Sequence, residues 1–474
     1  MKNISREQII RWMQTENLWW KKPHRINGQY YKMRKRAYFK PLMQLINESN
    51  IRRAVLLMGP RRVGKTVMIH HAVQQLINDG TDPGRICYLS VDHPLYNGCG
   101  LQELLDLFTA AAKVDLFNEQ AYIFFDEIQY LKDWEVHLKI LVDTYPNIKF
   151  LASGSAAAAL RLKSNESGAG RFTDFLLPPL TFYEYLSLLD KDSLIYPKTD
   201  ANGFFQATDI EELNKSFIHY LNFGGYPEVI FSEAIQADPN RFIKSDIVDK
   251  VLLRDLPGLY GIQDIQELNY LFTTLAFNTA NEVSLEQLAQ SSGVVKNTIK
   301  RYMEYLEAAF LVKTVHRIDR NARRFQRANC FKVYLTNPSI RSALFSPVAD
   351  HEQAMGGLAE TGIFSQWFHR DIQLHYARWA QGEVDIVEMN HSQKPVWAAE
   401  VKWSDRFADR PSELQNLIGF CSHNGLEEAI VTTKTYSSIT ELDGVNLKFV
   451  PTSIYCYTVG HDLIQGCNAG RPVG

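Results

Sequence analysis

The stretch from Gly59 to Thr66 constrains the fold of this chain more than any other part of its sequence. It reads Gly-Pro-Arg-Arg-Val-Gly-Lys-Thr, the P-loop pattern of a glycine, any four residues and Gly-Lys-Thr. The apolar run Ala54–Met58 before it predicts a buried strand, and apolar residues from Val67 to Ile77 recur at helical spacing. The pattern therefore predicts a strand, a tight loop and a helix N-terminus in direct succession.

Such a loop is suited to binding the phosphates of a nucleoside triphosphate. Its glycines let backbone N–H groups curl around phosphate oxygens, and the helix N-terminus adds a partial positive charge. Lys65 is expected to reach the β- and γ-phosphates, and the Thr66 hydroxyl to hold Mg²⁺. We therefore predict ATP and Mg²⁺ as cofactors. The predicted nucleotide-binding residues are Gly59, Pro60, Arg61, Arg62, Val63, Gly64, Lys65 and Thr66.

Acidic residues follow a second apolar run, roughly sixty residues after the P-loop. The run Ala121–Phe125 ends in Asp126 and Glu127. At the tip of a buried strand, Asp126 can hold Mg²⁺ through water, and Glu127 can orient and deprotonate an attacking water. Ser153 ends the next apolar run, and we expect it either to sense the γ-phosphate or only to cap its strand. The set predicts an NTP hydrolase.

Composition limits the classes of protein to which this chain can belong. The chain has 474 residues and a formal net charge of -2, which suggests several domains and argues against a globally basic nucleic-acid binder. No apolar run approaches the ~20 residues needed to span a membrane, and the start lacks the apolar core of a signal peptide. The six cysteines show no metal-ligand spacing, which favours reduced thiols. We expect a cytoplasmic protein without a membrane partner.

Seven short motifs occur in a characteristic order. They are Gly59–Thr66, Phe125–Gln129, Ala152–Ser155, Gly170–Arg171, Leu180–Glu184, Gly224–Glu228 and Leu253–Asp255. This order resembles a large prokaryotic family of AAA-superfamily ATPases whose members carry a C-terminal domain of unknown function with a restriction-endonuclease-like core. The resemblance extends from about Arg36 to Thr433. It implies an α/β chain with an AAA-type P-loop ATPase core on a parallel sheet, a helical lid, a winged helix-turn-helix segment and a C-terminal restriction-endonuclease-like α/β domain.

On this basis we divide the chain into four predicted regions. They are an N-terminal segment and ATPase core (1–190), a helical lid or linker (191–280), a winged helix-turn-helix (281–335) and a PD-(D/E)XK-like domain (336–474).

The resemblance also implies a role for one arginine. Arg171 would act as an arginine sensor or finger, neutralising charge on the transferring phosphoryl group. The family pattern has Leu where this chain has Gly168, and the alternative is an exposed loop arginine. AAA cores often form rings because an arginine of one subunit completes the next site. A homo-oligomeric ring, a dimer and a monomer all stay open.

Residues 282–306 predict a helix-turn-helix whose turn contains Gly293. The second helix presents Lys296, Asn297, Lys300 and Arg301, which suit a DNA groove or its phosphates. The stretch Lys313–Lys332 is strongly basic, which also suits phosphate contacts. We predict nucleic-acid contact here. A plain packing module with a solvated basic face is the alternative, and a protein partner stays open.

Four residues near the C-terminus resemble the PD-(D/E)XK nuclease motif. They are Glu360 on a predicted helix, Asp385 on a hairpin strand, and Glu400 and Lys402 on one face of the next strand. The carboxylates of Asp385 and Glu400 would hold Mg²⁺, and the lysine would activate or position water. Gln415 on the following helix is a weaker addition.

Two functions follow from these patterns. In the first, the ATP cycle controls a C-terminal Mg²⁺-dependent, nuclease-like domain that acts on nucleic acid. In the second, the protein is a nucleotide-gated interaction or regulatory protein whose C-terminal domain binds a partner or nucleic acid without cleavage.

Overall fold

The computed structural model describes residues 5–48, 50–155, 170–197, 199–200, 203–324, 329–368 and 372–465. The chain forms two compact units, Met1–Pro178 and Pro179–Gly474, called here the N-terminal unit and the C-terminal unit. Residues 179–190, which the sequence assigned to the ATPase core, therefore belong to the C-terminal unit. No helix of the described residues is long and apolar enough to cross a membrane.

The N-terminal unit is an α/β domain. Its strands are β1 (Ala54–Met58), β2 (Ile86–Ser90), β3 (Ala121–Asp126), β4 (Ile148–Gly154) and β5 (Phe172–Leu176). Its helices are α1 (Arg6–Glu16), α2 (Gly28–Lys32), α3 (Phe39–Asn47), α4 (Lys65–Asn78), α5 (Leu101–Ala112) and α6 (Trp134–Thr144). The strands form one parallel sheet in the order β2-β3-β4-β1-β5. Every residue of β1 and β3 is buried, as expected for a sheet covered on both faces.

The strand order brings the predicted site residues to one edge of this sheet. Leu57 of β1 pairs with Ser153 of β4, and Phe125 of β3 pairs with Ala152 of β4. Parallel strands end at the same edge, so the P-loop, Asp126 and Ser153 lie side by side. The predicted parallel sheet and the strand–loop–helix around the P-loop are confirmed.

Side chains from the segment after α1 cover the outer edge of β2. The Asn17 side chain accepts from the Tyr88 N–H (2.7 Å) and donates to the Tyr88 carbonyl (2.9 Å). The indole N–H groups of Trp19 and Trp20 both donate to the Ile86 carbonyl, at 3.0 and 2.8 Å. Covering an edge strand in this way blocks its pairing with another chain. The N-terminal segment is therefore part of the same folded unit as the sheet.

The C-terminal unit is built on a mixed sheet. Its strands are β6 (Glu282–Ser284), β7 (Val312–Ile318), β8 (Cys330–Leu335), β9 (Leu374–Trp379), β10 (Gly382–Met389), β11 (Pro395–Glu400), β12 (Glu428–Thr433), β13 (Ser438–Leu442) and β14 (Val445–Pro451). They form one sheet in the order β13-β14-β12-β11-β10-β9-β7-β8-β6.

The helices of this unit lie before, between and after these strands in the chain. They are α7 (Phe182–Leu188), α8 (Ile210–Phe223), α9 (Pro227–Ile230), α10 (Glu233–Ala237), α11 (Leu256–Tyr260), α12 (Ile265–Phe277), α13 (Leu285–Ser292), α14 (Lys296–Ala308), α15 (Ser339–Leu344), α16 (Ala354–Trp367), α17 (Arg406–Asp409), α18 (Gln415–Asn424) and α19 (Thr452–Gln465). Two π-helical segments, Asn240–Asp249 and Val251–Asp255, lie between α10 and α11.

The nine-stranded sheet crosses the domain boundary that the sequence placed at residue 335. Strand β7 pairs in parallel with β9, joining His316 to His375. One buried cluster combines Phe182 and Tyr220 with Tyr334, Tyr376 and other apolar residues of the sheet. The regions predicted as lid, helix-turn-helix and terminal domain therefore share one core.

The segment predicted as a helix-turn-helix contains two helices, α13 and α14, with a turn at Gly293 between them. Gly293 ends α13 in the left-handed conformation (φ 72°), where a residue without Cβ is unstrained. Leu288 of α13 and Ile299 and Leu306 of α14 are buried in a common apolar cluster. The strand pair β7–β8 follows, and β6 pairs with β8.

Candidate functional site

Two glycines shape the P-loop for different physical reasons. Gly64 precedes α4 with φ 96° and ψ 24°, a conformation that strains any other residue. At Gly59, an added Cβ would lie 2.1 Å from the Leu177 carbonyl oxygen, so a side chain there would displace backbone. Lys65 is buried, and its ammonium donates to the carbonyls of Gly59 (3.0 Å) and Pro60 (2.8 Å). The loop and its lysine form one compact structure.

An arginine from the N-terminal segment also reaches this loop. Buried Arg36 donates to the Val63 carbonyl at 2.7 Å and to the Pro178 carbonyl at 3.0 Å. It thereby ties the P-loop to the chain that follows β5. The sequence reasoning missed this residue, because a basic stretch before β1 gives no sign of which arginine turns inward.

Asp126 lies at the centre of the predicted catalytic edge and is 2% exposed. Its Oδ2 accepts hydrogen bonds from the Thr66 hydroxyl (2.7 Å) and the Tyr88 hydroxyl (2.8 Å). Its Oδ1 accepts from the Ser153 hydroxyl. These donors are neutral, so they orient the carboxylate without pairing it with a cation.

The residues present fit a magnesium ion bound together with phosphate. The Thr66 hydroxyl and the Asp126 carboxylate are in contact, and oxygen ligands are the ones that Mg²⁺ prefers. Among the described residues, no group of three or more His, Cys, Asp or Glu side chains is arranged to hold a metal ion. A cation at Asp126 would therefore take further oxygen ligands from the nucleotide or water.

Glu127 adopts a left-handed backbone conformation (φ 54°), which is unusual for a residue with a side chain. Its N–H donates to the Ser153 hydroxyl at 3.4 Å, and its carboxylate accepts from the Gln129 amide. Burial raises the pKa of Glu127, while the nearby Lys65 ammonium partly opposes the increase. A carboxylate with a raised pKa is a better general base. Ser153 contacts both acids, and its role as a phosphate sensor stays a prediction.

The four predicted residues of the C-terminal motif come together in the C-terminal unit. The Lys402 ammonium lies 2.7 Å from Glu400 Oε1 and 3.8 Å from Asp385 Oδ2. The Val401 N–H donates to Asp385 Oδ2 at 2.9 Å. Glu360 reaches the same group from α16 through a second lysine, Lys332.

Lys332 of β8 is the functional residue that sequence reasoning misplaced. Its ammonium lies 3.1 Å from Glu360 Oε1, 2.8 Å from Glu383 Oε1 and 3.6 Å from Asp385 Oδ1. These carboxylates hold its pKa well above the ordinary value, although the side chain is only 4% exposed. Lys332 was predicted as the end of a phosphate-contacting basic stretch, and burial among carboxylates excludes that contact. The available signal was the alternation of side chains along β8, which places Lys332 on the same face as Tyr334. The Tyr334 hydroxyl also donates to Glu360, at 2.5 Å.

One carboxylate oxygen of this cluster is unsatisfied. Glu400 Oε2 is buried and accepts no hydrogen bond from the described residues. Burial raises the pKa of Glu400, and raises the pKa of Glu360 to about 7. A divalent cation would favour the ionised form of such carboxylates. Asp385 and Glu400 thus fit a metal ion, which would compete with Lys402 for them.

Two parts of the chain match known protein families. Residues 51–186 match the AAA domain family AAA_14. An AAA-type P-loop domain binds nucleotide. Residues 214–351 match a domain of unknown function, DUF8612.

The similar curated proteins are uncharacterized. One from Haemophilus influenzae is 22% identical over 418 residues, which is 86% of this chain and 96% of that protein. One from Methanocaldococcus jannaschii is 25% identical over 327 residues, 64% of this chain and 66% of that protein.

Solved structures of low similarity include P-loop proteins. A Walker-type ATPase of Pyrococcus abyssi has a TM-score of 0.39 at 14% identity, covering 65% of this chain and 94% of that one. The Orc1 protein of Aeropyrum pernix in complex with DNA has a TM-score of 0.33 at 11% identity, covering 65% and 91%. At these scores neither structure carries a conclusion about substrate or partner.

Arg171 lies where the strands of the AAA domain sheet begin, whereas the P-loop lies where they end. It precedes β5, whose Phe172 pairs with Ala54 at the start of β1. Its guanidinium contacts Asp143 at 2.5 Å, and both side chains are about half exposed. Within one chain, this placement favours the alternative of an exposed loop arginine. A contribution to a neighbouring subunit stays a prediction, and Gly168 lies outside the described residues.

The described residues predicted to contact nucleic acid on α14 and at Arg324 are exposed, and two of them have partners within the chain. Asn297, Lys300 and Arg301 of α14 are exposed. Lys296 of the same helix pairs with Glu286 of α13 at 2.9 Å. Arg324 donates to the Gln373 side chain at 2.5 Å. An exposed basic face therefore exists on α14, and Arg327 lies outside the described residues.

Proposed function

We propose that the N-terminal unit binds ATP with Mg²⁺ and hydrolyses the nucleotide. The observation that carries this proposal is the contact of Asp126 with Thr66 at the mouth of the P-loop, with Glu127 beside it. Backbone N–H groups of the loop and the Lys65 ammonium would bind the phosphates. Bound Mg²⁺ would neutralise charge on the phosphate oxygens.

Glu127 would supply the general base. Its carboxylate orients a water molecule and accepts the proton as that water attacks the terminal phosphate. The Ser153 hydroxyl, which contacts both acids, would keep their spacing fixed.

ATP binding and turnover by Lys65→Ala test this assignment. We expect both to be lost, because the variant lacks the charge that faces the phosphates. Lys40→Ala, which removes an exposed lysine of α3, is the matched control and should behave as wild type. ATP turnover by Lys65→Ala at the wild-type rate would refute the P-loop assignment.

We further propose that the ATP cycle controls a nuclease-like site in the C-terminal unit. The convergence of Glu360, Asp385, Glu400 and Lys402 supports this role. Asp385 and Glu400 would hold a divalent cation, which would stabilise the charge of a phosphodiester under attack, and Lys402 would position water. The exposed basic face of α14 would contact nucleic acid.

A second candidate function is binding without cleavage. The observation that favours it is the pair of lysines, Lys332 and Lys402, which already bridge the carboxylates. A cluster with its own cations can serve as a buried structural network. In that case the C-terminal unit recognises a partner or nucleic acid in response to the nucleotide.

Incubation with plasmid, single-stranded DNA and RNA, with ATP and Mg²⁺ or Mn²⁺, separates the two candidates. Cleavage that disappears in Asp385→Asn and in Lys402→Ala supports the nuclease. Binding without cleavage, weakened by Lys300→Ala with Arg301→Ala, supports the second function. Cleavage that persists in Asp385→Asn would place the activity elsewhere.

A further inference from the structure

We propose that Tyr88 is a positioning residue for the metal-binding carboxylate Asp126, and that the N-terminal segment holds Tyr88 in place through Asn17. The proposal rests on the proposed function of the N-terminal unit. It concerns residues that lie outside the P-loop and outside the acidic strand end.

The first step is the contact itself. The Tyr88 hydroxyl donates to Asp126 Oδ2 at 2.8 Å, on the same oxygen that accepts from Thr66. Tyr88 is 6% exposed and Asp126 is 2% exposed, so water cannot readily replace this donor.

The second step concerns what happens to the other donor on that oxygen. A metal ion binds the Thr66 oxygen through a lone pair, so the hydroxyl proton points away from the ion and can still be donated to Asp126. Thr66 and Tyr88 are then both donors on Oδ2, and Ser153 is the donor on Oδ1. Because Thr66 is itself a ligand of the ion, Tyr88 is the donor on Oδ2 that orients Asp126 independently of the metal.

The third step is how Tyr88 is fixed. Asn17 bonds both the N–H and the carbonyl of Tyr88 from the outer edge of β2. The ring packs against His70 with a centroid distance of 4.7 Å, and Tyr30 stacks on the same His70 at 4.2 Å. Two parts of the N-terminal segment thus act on the tyrosine that orients Asp126.

Tyr88→Phe tests the proposal, with Tyr122→Phe as its matched control. Tyr122 is a buried tyrosine of the neighbouring strand β3, and its hydroxyl accepts from Gln120 at the start of that strand. Binding of a fluorescent ATP analogue is measured with and without Mg²⁺, and ATP turnover is measured against Mg²⁺ concentration.

For Tyr88→Phe we expect the Mg²⁺ concentration at half-maximal turnover to rise about 10- to 100-fold, the effect of one lost hydrogen bond to a charged group. The gain in nucleotide affinity that Mg²⁺ provides should fall by a similar factor. Affinity without Mg²⁺ should stay within about twofold of wild type, since the P-loop is unchanged. Tyr122→Phe should match wild type in each measurement.

Each other outcome is decisive. If wild type shows Mg²⁺-dependent nucleotide binding and Tyr88→Phe shows the same dependence, the positioning role is wrong while the proposed function stands. If Tyr122→Phe shifts as much as Tyr88→Phe, the effect is general to the sheet and the proposal is overturned. If nucleotide binding by wild type ignores Mg²⁺, both are overturned.

Asn17→Ala provides a second variant that keeps the Tyr88 hydroxyl. If thermal melting shows that Tyr88→Phe does not fold, Asn17→Ala becomes the deciding variant. A smaller rise of about two- to threefold in the Mg²⁺ requirement supports the proposal. A wild-type Mg²⁺ requirement in folded Asn17→Ala overturns the role of the N-terminal segment.

Discussion

The two units hold their carboxylates in opposite ways. In the N-terminal unit, Asp126 accepts hydrogen bonds from the hydroxyls of Thr66, Tyr88 and Ser153. In the C-terminal unit, lysine ammonium groups bridge the carboxylates of Glu360, Glu383, Asp385 and Glu400. Neutral hydroxyl groups orient the carboxylate of the first site, whereas ammonium groups pair with the carboxylates of the second.

This difference predicts different responses to a divalent cation. A carboxylate that is held by neutral donors attracts a metal ion strongly, because the ion displaces no other cation. A carboxylate already paired with lysine gives up that pairing, at least in part, when a metal binds. The N-terminal site is therefore arranged for a metal that arrives with each nucleotide, whereas metal in the C-terminal site must compete with Lys332 and Lys402.

Glu127→Gln should have the largest effect, because it removes the proton acceptor of the hydroxyl-lined site. We expect ATP turnover to fall by about 10² to 10⁴, the usual contribution of a general base, while ATP binding is retained. Single-turnover hydrolysis and equilibrium ATP binding measure the two steps separately. Glu119→Gln, which removes a carboxylate paired with Arg85 at 2.8 Å, is the control.

The acidity of Glu127 gives this prediction a second readout. The base works only when ionised, so wild-type turnover should fall as pH decreases through its raised pKa. That loss should begin at a higher pH than the ordinary glutamate value of 4.5 would give. Hydrolysis by Glu127→Gln at the wild-type rate would move the base to another residue.

Lys332→Met should produce the next largest effect, on stability. Removing one partner of a buried ionic group leaves carboxylates unpaired, and we expect a loss of about 3 to 5 kcal/mol in the free energy of unfolding. Lys448→Met is the matched control, since Lys448 is similarly buried but pairs with one carboxylate, Glu428, which is 38% exposed. Urea denaturation of the full chain measures both variants.

Added Mn²⁺ sharpens the comparison between the two lysines. In Lys332→Met a divalent cation can take the place of the lost ammonium, so Mn²⁺ should recover part of the stability. Lys448→Met should show no such recovery. Equal losses in the free energy of unfolding would mean that Lys332 stabilises the fold no more than a lysine in an ordinary ion pair does.

How well each site could be predicted from sequence follows from how it is assembled. The P-loop is contiguous, and Asp126 and Glu127 directly follow a strand whose burial is plain from its composition. Periodicity and motif spacing are sufficient for such a site. The four residues predicted for the C-terminal motif also come together, because Asp385 and Glu400 lie on strands close in sequence and Lys402 directly follows the second of them.

The residues that were missed depend on strand order and register. Lys332 enters its cluster because β8 lies in the same sheet as β10, although more than forty residues separate Lys332 from Asp385. Tyr88 meets Asp126 because β2 pairs with β3 in register, and no local pattern carries that information. Arg171 lies at the far edge because a residue before a parallel strand is at the end opposite the P-loop.

Glu360→Gln should have the smallest effect and tests the lysine-bridged cluster through pH. Burial raises the pKa of Glu360 from 4.5 to about 7, so the folded state retains a proton that the unfolded state releases within this range. The free energy of unfolding should therefore decrease as pH rises from about 4.5 to about 7, by about 1 to 3 kcal/mol from this group. Glu360→Gln removes that contribution and keeps an acceptor for Tyr334 and Lys332. Urea denaturation at pH 5 and pH 8 measures this contribution. Between these pH values the free energy of unfolding should decrease more in wild type than in Glu360→Gln. The control is Glu428→Gln, which changes a carboxylate that is 38% exposed. Parallel pH dependences in wild type and Glu360→Gln would show that Lys332 keeps Glu360 ionised throughout, and the C-terminal cluster would then be fully charged at neutral pH.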